Sequence, residues 1–455
     1  MSLVSHESNE YRKQTLFSLT WPLFVELSLH MGIGIIATLM ISHYSDYAAA
    51  GIGVANQLLT IFILLFNITS IGATILIGQH LGAERYDAAR RLARSAAGMN
   101  FWIGMVLSVF VLFWGKYLLN FYAIEGSVLR HAVTFMQITG ASLFLESVSL
   151  AFGAVLRSHG YTKESMIVSL FMNGITVAGN FLAIYGPFGL PVTGVAGVSW
   201  AIVAARLFAA GALIYLLNKK IALRLHIRDL LSISKRDMKD LLAIGVPSAG
   251  ENLSYQFSQI VITSFVSVIG AEALAARVYI LNISMVCYLF TVAVSQGSQI
   301  LISRSIGARD YEGAFQRGIR TLKMSFCISA AISLIIAFTG SPLLRIFTDN
   351  PEIIAIGVPV LWSIVFIEPG RALNIVLMGA LKSTGDVNFP VIIGMISMWG
   401  IAVVFSYLLG ISFGLGLLGV WIAQGLDEWF RGAFAYRRWL SQPWLKVKVK
   451  VPVNH

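Results

Sequence analysis

The sequence predicts an all-α integral membrane protein whose twelve transmembrane helices form two six-helix bundles. Three observations predict it. Of 455 residues, 57% are hydrophobic and only 12% charged, and mean hydropathy is +0.76; an ordinary soluble domain carries about twice that charge. The apolar residues gather in long runs. The second half also repeats the first at a fixed spacing. The composition excludes a disordered chain, and two cysteines are too few for a disulfide-stapled fold.

A helix needs about 20 mainly apolar residues to cross the hydrocarbon core. Such segments fall near 15–40, 50–79, 95–118, 131–156, 164–186, 191–217, 240–267, 274–304, 319–342, 352–381, 388–410 and 414–436. The longest polar connection, near 218–240, separates the sixth from the seventh. The organisation is therefore an N-terminal bundle at 1–217, a cytoplasmic linker at 218–238, and a C-terminal bundle with a short basic tail at 239–455.

Basic residues mark the cytoplasmic side of a membrane protein. With the N-terminus cytoplasmic, 26 of the 33 Lys and Arg fall on that side, including Arg12, Lys13, Arg157, Arg224, Arg228, Lys382, Lys448 and Lys450. Lys116, Arg130, Arg277 and Arg345 fall on the other; Arg206, Arg371 and Arg431 lie within or at the end of spans. Both termini thus read as cytoplasmic in a multi-pass plasma (inner) membrane protein. The net charge of +11 becomes a topology marker and not a nucleic-acid footprint. The lipid bilayer is the expected partner, and the chain is expected to be a monomer. No signal-peptide pattern precedes the first span. Cys287 and Cys327, both in apolar stretches, read as buried and unbridged.

The repeat is seen by setting 72–91 against 297–316. Eight of twenty positions are identical, namely Gly72, Ile75, Leu76, Ile77, Gly82, Ala83, Tyr86 and Ala89. The same offset, 225 in residue number, pairs Pro22 with Pro247, Glu26 with Glu251, Gly160 with Gly385, Gly194 with Gly419 and Arg206 with Arg431. Each half has an even number of spans, so both enter from the same side. A parallel repeat of this kind, two bundles about an axis along the membrane normal, suits alternating access.

Ionisable groups at membrane depth are costly and mark function. Glu26 and His30 lie one turn apart in the first span, after Pro22. Glu251 holds the equivalent place after Pro247, and Asn252, Gln256 and Gln259 nearby offer oxygens for Na+. Glu368 and Arg371 lie three apart in span ten. Pro359 and Pro369 are expected to flank or interrupt that helix. A carboxylate in a low-dielectric cleft can exchange protons or ligate Na+, and a cationic substrate competes with either. Glu251, Glu26, Glu368 and His30 are therefore the ion-coupling residues to consider, against a reading as buried bracing groups. Glu146 shows no obvious partner, and Asp427, Glu428 and Arg431 read as an intrahelical cluster. Asn173 and Asn180 share a face of span five, and Gln57 matches Asn282 at the repeat offset; interhelical hydrogen bonds are their structural alternative. Aromatics on cleft faces suit flat cations.

There is no catalytic constellation, no Walker-type loop and no zinc spacing. The chain reads as no enzyme, with no cofactor beyond a coupling H+ or Na+.

The Gly72-x9-Gly82-Ala83-x-x-Tyr86 segment, Leu19-Thr-Trp-Pro22, Gly186 to Gly197, Glu368 to Asn374 and Leu381 to Asp386 resemble the multidrug and toxic compound extrusion (MATE) family over residues 12–437. The resemblance implies a secondary active exporter of drugs or organic cations, driven by H+ or Na+, with substrate in a V-shaped cleft between the two bundles. Asn180, Asn173, Asn252, Gln256, Tyr255, Gln57, Asn282 and Arg371 are its substrate-cleft candidates here. The sequence departs from that family in three places. The span-one Asp-Thr-x-Met stretch reads Ala37 to Met40. The acidic partner four residues after Asn180 is Ile184. In one branch the span-seven Glu stands where this chain has Tyr255, with Glu251 one turn earlier. The rival readings are a flippase-type exporter of lipid-linked or anionic metabolites, and a membrane scaffold. The first would line its cleft with several basic residues, and Arg371 reads as the one clearly deep cation.

Overall fold

A computed structural model describes residues 14–122, 124–189, 191–223, 230 and 233–446. Arg12, Lys13, Arg224, Arg228, Lys448 and Lys450, used above for orientation, lie outside the described residues, as does most of the basic tail.

The chain folds as helices α1 (Leu16–Tyr44), α2 (Asp46–Gly82), α3 (Tyr86–Leu119), α4 (Gly126–Ala141), α5 (Leu143–Ser158), α6 (Thr162–Tyr185) and α7 (Gly194–Ile221). The second half holds α8 (Lys235–Ile269), α9 (Ala271–Gly307), α10 (Tyr311–Phe338), a short α11 (Gly340–Arg345) and α12 (Pro351–Thr384). It ends with α13 (Asn388–Ser397), α14 (Val404–Tyr407) and α15 (Gly416–Ser441). π-helical turns at Met398–Val403 and Leu408–Ser412 join α13 and α14 into a continuous span. Among the described residues nine helices are long and apolar enough to cross a membrane, ten when α4 and α5 count as one bent span. α8 and α15 have the length, 35 and 26 residues, but carry more charge. Together these occupy the places of all twelve expected spans. Large apolar side chains such as Phe17, Val268 and Phe338 are exposed, as suits a surface solvated by lipid.

Capping chemistry sets the helix ends. Asn350 accepts from the Glu352 backbone N–H at 2.9 Å with Pro351 at the first helical position. Asp310 caps α10 through Gly313. Gly186 and Gly385 end α6 and α12 in the left-handed conformation, which favours glycine.

The chain divides into two compact units. One holds Val25–Gly245, the other Leu16–Phe24 and Val246 onward. Packing thus draws the boundary inside two helices, α1 and α8, and not in the polar loop. Close approach at repeat-related glycines shows why. A Cβ on Gly72 would meet the Leu241 carbonyl at 2.6 Å, and one on Gly297 would meet the Thr20 hydroxyl at 2.8 Å. The first turns of α8 therefore pack on α2 in one unit, and those of α1 pack on α9 in the other, through small residues that admit a backbone. The core of the first unit gathers Phe66, Phe135, Met136 and Leu143; that of the second gathers Val360, Leu361, Ile364 and Trp421.

Three expectations fail. α12 runs unbroken through Pro359 and Pro369; the broken helix is its repeat counterpart α4–α5, which bends by 50° at Ser142. Membrane helices tolerate proline where neighbours re-satisfy the freed backbone groups. Cys327 is exposed, while Cys287 is buried. Arg371 has company: Arg206, Arg277 and Arg431 are all at most 8% exposed.

Candidate functional site

Glu26 and Glu251 are ion-paired. In the first unit Arg157 sits 3.5 Å from Glu26 Oε1. In the second, Lys382 Nζ donates to Glu251 Oε2 at 2.6 Å. The four residues are two repeat-related pairs, because Arg157 and Lys382 stand at the same offset as Glu26 and Glu251. Pro-x-x-x-Glu meets Leu-Arg/Lys-Ser-x-Gly in both halves. Sequence reasoning placed Arg157 and Lys382 among the topology markers and missed them as counter-ions; the repeat offset, applied to bases as it was to acids, would have found them. His30 is exposed, and among the described residues no hydrogen bond or ion pair joins it to Glu26.

Glu146, which lacked a partner in the sequence, pairs with Arg206 Nε at 3.1 Å. Arg206 Nη1 also donates to the Thr139 carbonyl at 2.8 Å and to Ser142 Oγ at 2.7 Å. These groups lie at the α4–α5 bend, so Arg206 satisfies backbone that the break sets free.

The second unit builds a larger network from α12 and α15. Arg371 donates to Glu368 Oε1 at 2.5 Å and to Glu428 Oε1 at 3.2 Å. Asn374 Nδ2 donates to Glu428 Oε2 at 2.7 Å. Arg431 pairs with Asp427 one turn away, and its distance to Glu428 Oε2 is 3.6 Å. Ser397 Oγ donates to Asp427. Residues spaced three and four apart on each helix share a face, and the two faces meet. The network holds three carboxylates against two guanidiniums. Glu368 is 1% exposed, and its Oε2 is buried with no hydrogen-bond partner. The intrahelical reading of Asp427, Glu428 and Arg431 was therefore too local.

The polar candidates divide. Asn173 and Asn180 are buried, and Asn173 Nδ2 and Asn180 Oδ1 lack partners. Gln57, Asn252, Tyr255, Gln256 and Asn282 are exposed on their helices; Asn282 Nδ2 donates to the Val278 carbonyl at 2.9 Å. Tyr255 lies within electrostatic range of Arg371 and Glu428, so it is the exposed candidate that the structure brings toward the network.

Known proteins share the fold. The chain matches the family model MatE over residues 22–182 and 247–408, two stretches whose starts stand at the repeat offset. It is 41% identical over 432 residues, 95% of each chain, to "Uncharacterized transporter YisQ" of Bacillus subtilis (strain 168). It is 28% identical over 447 residues to "Probable multidrug resistance protein NorM" of Thermotoga maritima, covering 98% of this chain and 95% of that one. Among solved structures, an outward-facing multidrug resistance MATE family transporter of the MOP superfamily superposes with a TM-score of 0.86 at 18% identity, over 95% of this chain and 96% of the other. The two-bundle fold is the same.

Proposed function

The chain belongs to the MatE family of membrane transporters, and we propose that it exports small organic cations from the cell in exchange for H+ or Na+. Family members are cation-coupled antiporters and not enzymes. The relative named as a multidrug resistance protein supports the substrate class. The split of basic residues in the sequence supports cytoplasmic termini in a plasma membrane.

One observation carries the coupling assignment: the α12–α15 network is one counter-ion short. Five charged groups with three negative and two positive leave one negative charge, and the Cys287 thiol beside Glu368 is a neutral, weak donor that leaves that charge unbalanced. A buried surplus charge costs several kcal/mol unless a cation neutralises it. A proton or Na+ at Glu368 supplies that cation. Release of the cation restores the negative charge that a cationic substrate would answer. Glu26 and Glu251 already have their counter-ions, which places them second.

Reconstituted vesicles carrying the Glu368→Gln chain, with an imposed H+ or Na+ gradient, test the assignment. Gln keeps the shape and removes the charge, so gradient-driven transport of a fluorescent cation should fall about ten-fold or more. Transport that still follows the gradient at the wild-type rate rules Glu368 out.

A further inference from the structure

A row of hydroxyls runs along one face of α10. Thr321, Ser325 and Ser329 recur every fourth residue, so they share that face, and all three are buried. Ser329 Oγ is 3.3 Å from the Cys287 thiol of α9, and that thiol stands beside Glu368. Ser298 of α9 donates to Thr321 Oγ1 at 3.1 Å. Between these two contacts, Ser325 Oγ and Thr291 Oγ1 are buried with no hydrogen-bond partner. The row has two definite ends. Glu368, with its orphaned Oε2 on a third helix, closes one. At the other, Arg317, Arg320 and Lys323 are exposed on α10, which marks the level where that helix meets water. Ser329 and Thr321 are about 12 Å apart along the helix axis.

The repeat shows that the fold itself does not need these hydroxyls. On α3 the counterparts of Thr321, Ser325 and Ser329 are Ala96, Asn100 and Gly104. On α2 those of Cys287 and Thr291 are Phe62 and Phe66. Asn100 Nδ2 donates to the Phe66 carbonyl at 3.4 Å and to the Ser147 carbonyl at 2.9 Å. Its counterpart Ser325 therefore faces α9 at the level of Thr291, and its shorter side chain makes neither bond. The second unit thus sets two unpartnered hydroxyls where the first sets a bonded amide and a phenyl ring. A buried polar group left without a partner is destabilising, and ordered water is the ordinary remedy. The first unit also has Leu143 where the second has Glu368. The half with the acid has the row, and the half without the acid interrupts it.

We infer that this row, with water between its hydroxyls, carries the coupling proton between Glu368 and the membrane face at the α9–α10 turn, which the basic residues of the sequence read as cytoplasmic. Hydroxyls one turn apart are about 6 Å apart along the axis, which two hydrogen bonds through one water span. Each heteroatom of the row accepts a proton on a lone pair as it passes its own hydrogen on. One proton leaves the Glu368 carboxyl, a carboxylate remains, and one proton enters water at the far end. A hard metal cation needs several oxygens around it at once. A single file of hydroxyls does not offer them, so the row names H+ as the coupling ion. The inference rests on Glu368 as the coupling residue.

Vesicles carrying the full chain and an imposed pH gradient, with ethidium as the transported cation, test the row. Ser325→Val removes the hydroxyl and should slow transport about ten-fold or more. The number of protons that the purified chain releases on binding ethidium should stay at the wild-type value, because a conduit sets the rate and not the amount. Ser325→Thr keeps a hydroxyl and should restore most of the rate. Transport by Ser325→Val at the wild-type rate overturns the row, as does a loss of rate in Ser325→Val that Ser325→Thr shares. Transport that answers a Na+ gradient and not a pH gradient overturns it too. If Glu368→Gln loses gradient-driven transport while Ser325→Val keeps it, the row alone falls. If Glu368→Gln keeps it, the coupling assignment falls and takes the row with it.

Discussion

The two units contain the same arginine and use it differently. In the first, Arg206 faces one carboxylate, Glu146, through Nε and donates through Nη1 to the carbonyl and hydroxyl of a bent helix. In the second, Arg431 faces Asp427 and Glu428, and the helix opposite it is unbroken. The residues around each arginine explain the change. Where the second unit has Glu368, Arg371, Asp427 and Glu428, the first has Leu143, Glu146, Ile202 and Val203. At these positions the first unit is charge-balanced pair by pair, through Glu26–Arg157 and Glu146–Arg206. The second keeps the balanced pair Glu251–Lys382 and adds a network with one negative charge in excess. A duplicated scaffold thus holds ion pairs in both halves, while the second half alone carries the network of three carboxylates and two guanidiniums at which we propose that the cation binds.

The sharpest way to break that comparison is to remove each arginine. Arg431→Met strands the buried Asp427 carboxylate, removes one of the two bases beside Glu428, and should cost about 3–5 kcal/mol. Arg206→Met strands one partly exposed carboxylate and the backbone of the bend, at about half that cost. Thermal unfolding in detergent compares them; equal losses would mean that the two sites are equivalent after all.

The repeat-related pairs should behave alike. Arg157→Met and Lys382→Met should each destabilise by about 1–3 kcal/mol. Adding Glu26→Gln or Glu251→Gln to the matching variant should recover most of that loss, since the stranded charge goes with it. Lys382→Arg, which gives the second half the residue of the first, should change stability by under about 1 kcal/mol. A double-mutant cycle with no coupling energy would show that these are incidental neighbours. The smallest effect is expected for Arg277→Ile, which copies its repeat counterpart Ile52: melting should stay level or rise, because an apolar residue replaces a buried charge with no carboxylate at ion-pair distance among the described residues.

The fold was legible because its two signals are global. Apolar runs report spans, and the repeat offset reports two bundles whatever the local detail. The acids were legible because a Glu in an apolar run is conspicuous. Their partners were not. Arg157 and Lys382 stand at the ends of spans, where a base reads as a topology marker, yet α5 and α12 carry them back to Glu26 and Glu251. Charge counting has no depth coordinate. Pro359 and Pro369 predicted a broken helix, but a buried helix can accommodate proline, and the bend fell at Ser142, where Arg206 could heal it. The α12–α15 network needs two helices to meet face to face, which no spacing within one helix encodes.

The central claim is that the second unit binds the coupling cation at Glu368. Its most direct test is release of H+ or Na+ from the purified chain when a cationic dye is added, measured across pH. The network's single surplus charge predicts about one cation released per dye bound by wild type and by Glu26→Gln, and none by Glu368→Gln. Undiminished release from Glu368→Gln, or its loss in Glu26→Gln alone, would contradict the account.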